Sequence, residues 1–562
     1  SKVRISKTLL ISPFIIYAAL CIYHLGFTRD DWSHYASIAN IRATNGEVEL
    51  LKGIFTNSST SPNQPRIFFG SFLVHYIISF AGTLAPKLIY SYQTILFVFT
   101  CIFIGLIIVR LTGSKLIGYL SSIFSLVTPL MSQPSIWINN LFFVQPVFLC
   151  CLAIYLYLYK PFKRHRDKML MIVMLSIASV SSGESILFVV VALLSIILIT
   201  ECKEGRPLLG LAPIVALTLF VGFYTTQIMA GRQAAPIQIN TISHFYAYMQ
   251  TFWHQSKELM YLGSDLYGMN GGLKPTVATL LATALITTCV GASICFLKNA
   301  KRNEWPQAKR IGIGSQFNYI RILLIIYVCS LLPLLVGMLN GTRPGPDLRY
   351  QYVPGFILIM ICSMGVSIAK YFIPDIRLRH VSGPIIIGTT YLTYLTLHNV
   401  IDIWPAQKRI DNNIWSRIEA IMKKNKIEYI ITFHPRHPYL MAPYNSNAIS
   451  DFQADWGISG RIRFLNPKIN SPAIYRDAYL VSQNTLKLRE YYSDTEAACV
   501  HYTPKATNIL FMSFRYPDSF SQMLLTGLYA STNYAEFAAF KRTYFSNSFA
   551  EDVKWREARC RR

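Results

Sequence analysis

Charge is what this sequence has least of. Only 14% of its 562 residues are Asp, Glu, Lys or Arg, against about a quarter in a soluble domain. Acids are scarcest: 28 Asp+Glu stand against 53 Lys+Arg, a formal net charge of +25. An acidic, solvating or disordered chain is thereby excluded. Metal-type cysteine spacing is also missing. Among the 11 cysteines, Cys101, Cys150, Cys151, Cys295, Cys329 and Cys362 lie inside apolar runs and read as small apolar residues. No internal repeat or low-complexity tract occurs.

What fills the chain is apolar: 52% of it is hydrophobic. Apolar runs of about 17 to 25 residues recur, the length that crosses a bilayer. The reading is an all-α polytopic membrane protein. Its basic residues lie mainly in short loops between spans and in the C-terminal region. That distribution fits the positive-inside bias and contact with membrane lipid, and it removes the case for a nucleic-acid partner.

Lys2, Arg4 and Lys7 precede the first span and place the N-terminus in the cytoplasm. No small-residue cleavage site follows that span, so it is expected to stay as a helix. The stretch Arg66–Leu84 is apolar but short, and Gly70, Ser71 and His75 interrupt it. Were it to cross, the basic loops Arg110–Lys115 and Lys160–Lys168 would fall outside. It is therefore read as a juxtamembrane helix. About eleven spans follow, near 8–26, 88–110, 116–133, 139–159, 169–182, 184–201, 208–230, 275–298, 322–340, 352–372 and 381–401. Residues 1–401 form the membrane domain, with a first outer loop over 27–87. Within that loop, the apolar spacing of Trp32 to Thr44 predicts a helix lying on the membrane surface.

The most informative stretch is Thr28-Arg29-Asp30-Asp31-Trp32-Ser33-His34-Tyr35, directly after the first span. The first 401 residues hold 13 acids, and two of them are adjacent here. Carboxylates at this depth are costly unless paired, hydrated or used. They are also good capping chemistry for the Trp32 helix, and the two roles are compatible. After residue 401 hydropathy falls. Asp411–Lys424 is amphipathic, Glu428–Phe433 has a strand pattern, and the region carries 22 Lys+Arg and 15 Asp+Glu. Residues 402–562 are expected to form a small α/β domain on the outer side.

Several landmarks follow the acidic pair in a fixed order. These are Gln64-Pro65-Arg66-Ile67-Phe68-Phe69, Arg110-Leu111-Thr112-Gly113, Ser182-Gly183-Glu184 and Arg349-Tyr350-Gln351-Tyr352-Val353-Pro354. Over residues 1 to about 372 this order resembles the GT-C superfamily of membrane glycosyltransferases. Protein O-mannosyltransferases, aminoarabinose transferases and oligosaccharyltransferase catalytic subunits belong to it. The acidic pair before Trp32 is also similar to serotype-converting O-antigen glucosyltransferases of bacteria and phages. Asn63 stands where relatives have a basic residue, and Asn139 and Asn140 stand where relatives often have an acid.

The resemblance implies an inverting transfer of a sugar, such as glucose, from a polyprenyl-phosphate carrier to a glycan or lipid-linked acceptor. It implies a bacterial inner membrane, with the active site and C-terminal domain in the periplasm. The lipid phosphate leaves without protonation, so one general base suffices. Asp30 and Asp31 would divide the work. One would take the hydroxyl proton, and the other would orient the acceptor or a divalent cation. Aligned at Trp32, the resemblance to oligosaccharyltransferases implies Asp30 as base; aligned at Tyr35, the resemblance to mannosyltransferases implies Asp31. Arg349 is the expected phosphate ligand, with Arg343 and Arg66 as alternates. Trp32, His34, Tyr35, His75, Asn139, Asn140, Glu184, Tyr350 and Tyr352 would line the cavity. An O-antigen polymerase or ligase and a lipid-linked glycan transporter are the competing functions.

Overall fold

A computed structural model of the chain describes residues 2–27, 29–56, 69–128, 141–159, 275–299, 313–339, 352–372, 378–424, 429–433, 451, 455–465, 473–476, 479–480, 486–490, 498–502, 509–514 and 528–531. Most of these are helical. Helix α1 (Lys2–His24) leads into α2 (Arg29–Thr56), which begins shortly after it. The surface helix is longer than the expected 32–44, and it is two pieces. Gly46 sits at φ 80°, ψ 172°, a conformation that side chains resist, so the chain turns there and resumes as helix. Arg42 locks this corner to α3 (Phe69–Ser79). It pairs with Glu47, donates to Ser79 Oγ at 2.9 Å and lies over the Phe80 ring, while Tyr76 donates to Glu47 at 2.9 Å.

The 11 residues of α3 extend about 16 Å, half the thickness of a hydrocarbon core. A short 3₁₀ turn, Gly82–Leu84, then leads to α4 (Ala85–Thr112). Among the described residues, three helical stretches are long and apolar enough to cross a membrane: Gly82–Thr112, Val277–Leu297 and Tyr352–Phe372. Shorter apolar helices are Thr8–His24, Lys115–Val127, Phe143–Leu156 and Gln316–Val328. They belong to α1, α5 (Lys115–Val127), α6 (Leu141–Tyr159) and α8 (Ile313–Leu339), while α7 (Val277–Asn299) and α9 (Tyr352–Phe372) hold two of the longer ones. The expected spans 169–182, 184–201 and 208–230 lie outside the described residues.

The bundle packs by the logic of a lipid solvent: small residues at crossings, and hydroxyls that bond across helices. Helix α4 ends on Gly113 at φ 70°, whose N–H returns to the Val109 carbonyl at 2.8 Å, and Ser114 caps α5. The two helices then run back along each other, with Gly105 facing Gly118. A Cβ on Gly118 would lie 2.6 Å from the Gly105 carbonyl oxygen, and one on Gly105 would lie 2.5 Å from the Gly118 oxygen. Ser122 Oγ and Val109 Cγ2 also stand in the way, and even if they moved aside the backbone contact on each side would remain. Gly118→Ala should destabilise the protein by about 1–3 kcal/mol, read as a lower thermal unfolding midpoint in detergent. An unchanged midpoint would show that the crossing can open freely. Farther along, Ser121 bonds to Ser363 at 2.7 Å and Thr396 donates to the Val127 carbonyl at 2.8 Å. Cys21, Cys101, Cys150 and Cys151 are buried free thiols, as expected of small apolar residues.

Helix α10 (Leu378–His398) does not end where hydropathy falls. It widens into one π turn, Asn399–Ile403, and continues as α11 (Trp404–Lys424). The turn closes through the Trp404 N–H on the Asn399 carbonyl. Pro405 follows, and its missing N–H and bulky ring account for the widening.

Beyond α11, strand β1 (Tyr429–Phe433) runs parallel to both β2 (Ala473–Arg476) and β6 (Ile509–Phe514), and β7 (Leu528–Ser531) closes the sheet antiparallel in the order β2-β1-β6-β7. The sequence of β1, YIITF, is the near-continuous apolar run a central parallel strand carries. A second sheet joins β3 (Tyr479–Leu480), β4 (Leu486–Glu490) and β5 (Ala498–Tyr502), all antiparallel. Helix α12 (Asp455–Leu465) lies along α2, so the tail touches the segment that follows α1.

Candidate functional site

The first turn of α2 places Asp31 inside the protein. Its side chain is fully buried, and Tyr90, one turn into α4, donates its hydroxyl to Oδ2 at 3.2 Å. Asp30 precedes it on the same helix; its side chain lies outside the described set. Adjacent helical residues do not share a face, so the two carboxylates cannot serve one point in the same way.

Around Asp31 the helix builds an aromatic wall. Tyr35 packs on Phe27 at 4.7 Å, and Trp32 meets Phe27 edge-on at 5.1 Å. His75 comes in from α3, with Nδ1 3.2 Å from the Tyr35 hydroxyl and its ring 4.6 Å from that of His34. Burial pushes His34 down to about 4, and burial together with the neighbouring His34 holds His75 well below the ordinary imidazole value. Burial, then the Asp31 charge, pushes Tyr35 up. At neutral pH both imidazoles are therefore uncharged and Tyr35 keeps its proton. They are hydrogen-bonding groups, not additional charges beside the acids.

The structure thus joins Asp31, Trp32, His34, Tyr35 and His75, all expected from sequence. Tyr352 is elsewhere: it is buried in the bundle with Cys101 and Cys151 as neighbours. Cys101 is about 16 Å of helix along α4 from Tyr90. Arg66, Arg343, Arg349, Tyr350, Asn139, Asn140 and Glu184 lie outside the described residues. Among the described residues, no group of three or more His, Cys, Asp or Glu is close enough to hold a metal ion.

No protein-family model matches this chain, and no curated protein matches it.

Two parts of the site escape sequence reasoning. The first is the tail. From α12, Phe464 packs on Trp32 at 5.6 Å and on Phe27 at 6.1 Å. The Arg461 guanidinium lies 5.1 Å from the Trp32 ring centre and 4.8 Å from that of Trp415. Its Nη1 donates to Asp451 at 2.7 Å and its Nη2 to Asn412 at 3.1 Å. Asp451 also accepts from Trp415 Nε1 at 3.2 Å, and Lys408 lies 3.6 Å away. Asp411 accepts from the Asp451 N–H at 2.9 Å and from Gln407 at 2.8 Å. Burial, then the Asp451 charge, pushes the Asp411 carboxyl up to about 7. No local pattern marks these residues, because more than four hundred positions separate Trp32 from Arg461.

The second is a dyad at the π turn. His398 Nδ1 lies 2.6 Å from Asp402 Oδ2, and Tyr394 stacks on the imidazole. Thr276 and Thr279 each donate a hydroxyl to Asp402 at 2.7 Å, and the Thr276 N–H adds a bond at 3.3 Å. Burial raises the Asp402 carboxyl, but these bonds outweigh it and hold it below its ordinary value. Asp402 thus caps α7 from a distant helix. The His-x-x-x-Asp spacing was visible in the sequence, since residues four apart share a helix face; the expected span at 381–401 stops one residue short of Asp402, and the helix runs on.

Proposed function

We propose that the protein is an inverting membrane glycosyltransferase of the GT-C kind, moving a sugar from a polyprenyl phosphate to a glycan acceptor. The observation that carries this reading is the burial of Asp31, hydrogen-bonded to a membrane helix and walled by aromatic rings, next to a second acid at the membrane surface. Aromatic faces with a carboxylate suit a sugar, and a surface site suits a lipid-borne donor.

Asp31 is the positioning member. Its carboxylate is already engaged inside the protein by Tyr90, which leaves Asp30 as the base. The acceptor hydroxyl attacks the anomeric carbon, its proton passes to Asp30, and the bond to the phosphate oxygen breaks with the phosphate leaving as an anion. Arg349 holds that phosphate, with Arg343 and Arg66 as further cations. The chain crosses a bacterial inner membrane about eleven times and carries an outer-side α/β domain after residue 401. Among the described residues, none of the buried charged groups lies in the three membrane-length helices. A transporter would be expected to line its path with such groups.

The test is direct. Purified protein, given a polyprenyl-phosphate hexose and a lipid-linked glycan, should form a glycoside whose anomeric configuration is opposite to that of the donor. A retained configuration would refute the single displacement. No transfer from any polyprenyl-phosphate hexose would refute the reaction class.

A further inference from the structure

The seam between α2 and α12 has an uncommon composition. It is walled by Trp32, Tyr35 and Phe464 and crossed by Arg461. Within it, two N–H donors are buried without an acceptor among the described residues: Trp32 Nε1 and Arg461 Nε. They belong to one stack, since the guanidinium carbon bonded to that Nε lies 5.1 Å from the Trp32 ring centre. Buried donors are nearly always satisfied, and the exceptions call for a reason. Leaving a donor unpaired is more costly than making its bond is favourable. The packed seam is therefore a contact with two defects, and an oxygen-rich partner between the helices would repair both.

The character of that partner follows from the charges. The other Arg461 nitrogens already face Asp451 and Asn412, and Asp31 lies buried next to Trp32. An added anion would meet two carboxylates and a guanidinium already matched. A neutral polyol with apolar C–H faces meets none of this, and it suits aromatic walls and planar N–H donors. We infer that the α2–α12 seam is a saccharide subsite, opened by lifting α12 from Trp32, in which sugar hydroxyl oxygens accept from Trp32 Nε1 and Arg461 Nε. It rests on the glycosyl-transfer reading for its role as the acceptor subsite, and it gives the tail a part in substrate binding.

Saturation-transfer NMR on the full-length protein in detergent tests it, with methyl glycosides of glucose, galactose, mannose, rhamnose and N-acetylglucosamine as probes. At least one glycoside should take up saturation on its ring C–H protons, undiminished by equimolar inorganic phosphate. Trp32→Phe keeps a ring but loses the N–H, and Arg461→Lys keeps the charge but loses Nε. Each should weaken that binding about five- to tenfold. In the wild type, hydrogen exchange over residues 455–465 should change when the glycoside is added. Binding of no glycoside, displacement by phosphate, wild-type affinity in both variants, or unchanged exchange would each overturn the inference. Asp30→Asn separates the two claims. It should bind glycoside as the wild type does while transferring nothing. If both proteins bind glycoside but the wild type transfers no sugar, the reaction proposed above falls and the subsite stands; normal transfer by Asp30→Asn would remove only the role of Asp30 as base.

Discussion

Asp30→Asn should lower sugar transfer by about a hundred- to ten-thousand-fold, the usual loss when a general base is removed. Asparagine keeps the shape of the side chain and most of its capping ability, so the protein should express and fold normally. It cannot take a proton. Asp31→Asn should be active but slowed, because asparagine can still accept from Tyr90. Tyr90→Phe should resemble it, since it deletes the hydroxyl that donates to Asp31 at 3.2 Å. Both acids could instead serve only as caps for α2. Losing a cap costs about 1 kcal/mol of stability and leaves turnover nearly intact. Initial rates for the three variants decide between the roles. Near wild-type turnover in both asparagine variants would leave the proposed mechanism without a base. Abolition in Asp31→Asn with only slowing in Asp30→Asn would exchange the two roles.

The second large effect concerns stability. Asp451→Ala removes the acceptor of Arg461 Nη1 and Trp415 Nε1 and the carboxylate facing Lys408. A guanidinium is then left buried without its counter-charge, a loss of about 3–5 kcal/mol. Thermal unfolding in detergent should show a fall of several degrees, and α12 should become accessible to protease. An unchanged midpoint would mean that Arg461 finds another acceptor. Asp411→Asn should act through pH instead. The folded carboxyl sits at about 7 against an ordinary 3.8, so the fold favours its protonated form. Wild-type stability from this group is greatest below about pH 4 and is lost as pH rises toward 7. The asparagine variant lacks that slope, and its advantage over wild type should grow across the same window.

Much of the bundle was legible because a bilayer permits few solutions. A run of apolar residues at membrane length can only be a helix, and α4, α7 and α9 appear where hydropathy put them. The surface helix after the first span was legible from spacing, but its break at Gly46 was not. That residue reads as an ordinary weak point until its φ is known. Within Arg66–Leu84, the described residues form an 11-residue helix, Phe69–Ser79, and a 3₁₀ turn. Of the candidate site, the part on one helix was readable: Asp31, Trp32, His34 and Tyr35 are neighbours in sequence and therefore in space. His75 reached them through Tyr35, which only a fold can arrange. The tail contacts were beyond reach, because Arg461 and Phe464 carry no pattern and act through distance in the chain. The missing break after residue 401 has one cause. Falling hydropathy marks a change of solvent, and a helix can pass from lipid to water without ending.

That continuity limits how the molecule can be taken apart. From Leu378 to Lys424 the backbone is one rod of about 70 Å, widened at 399–403 and never interrupted. A scissor placed at residue 401 would cut through the middle of it. The membrane half would lose Asp402, and with it the bonds at the start of α7; the other half would begin in mid-turn. Deleting one residue within 399–403 would restore an ordinary helical pitch. A deletion between 405 and 410, in the regular helix, would instead swing everything beyond by about 100°, carrying Asp411 and Trp415 away from Asp451 and Arg461. Chimeras or fusions that exchange the tail should therefore be joined after Lys424, where the rod has delivered its orientation.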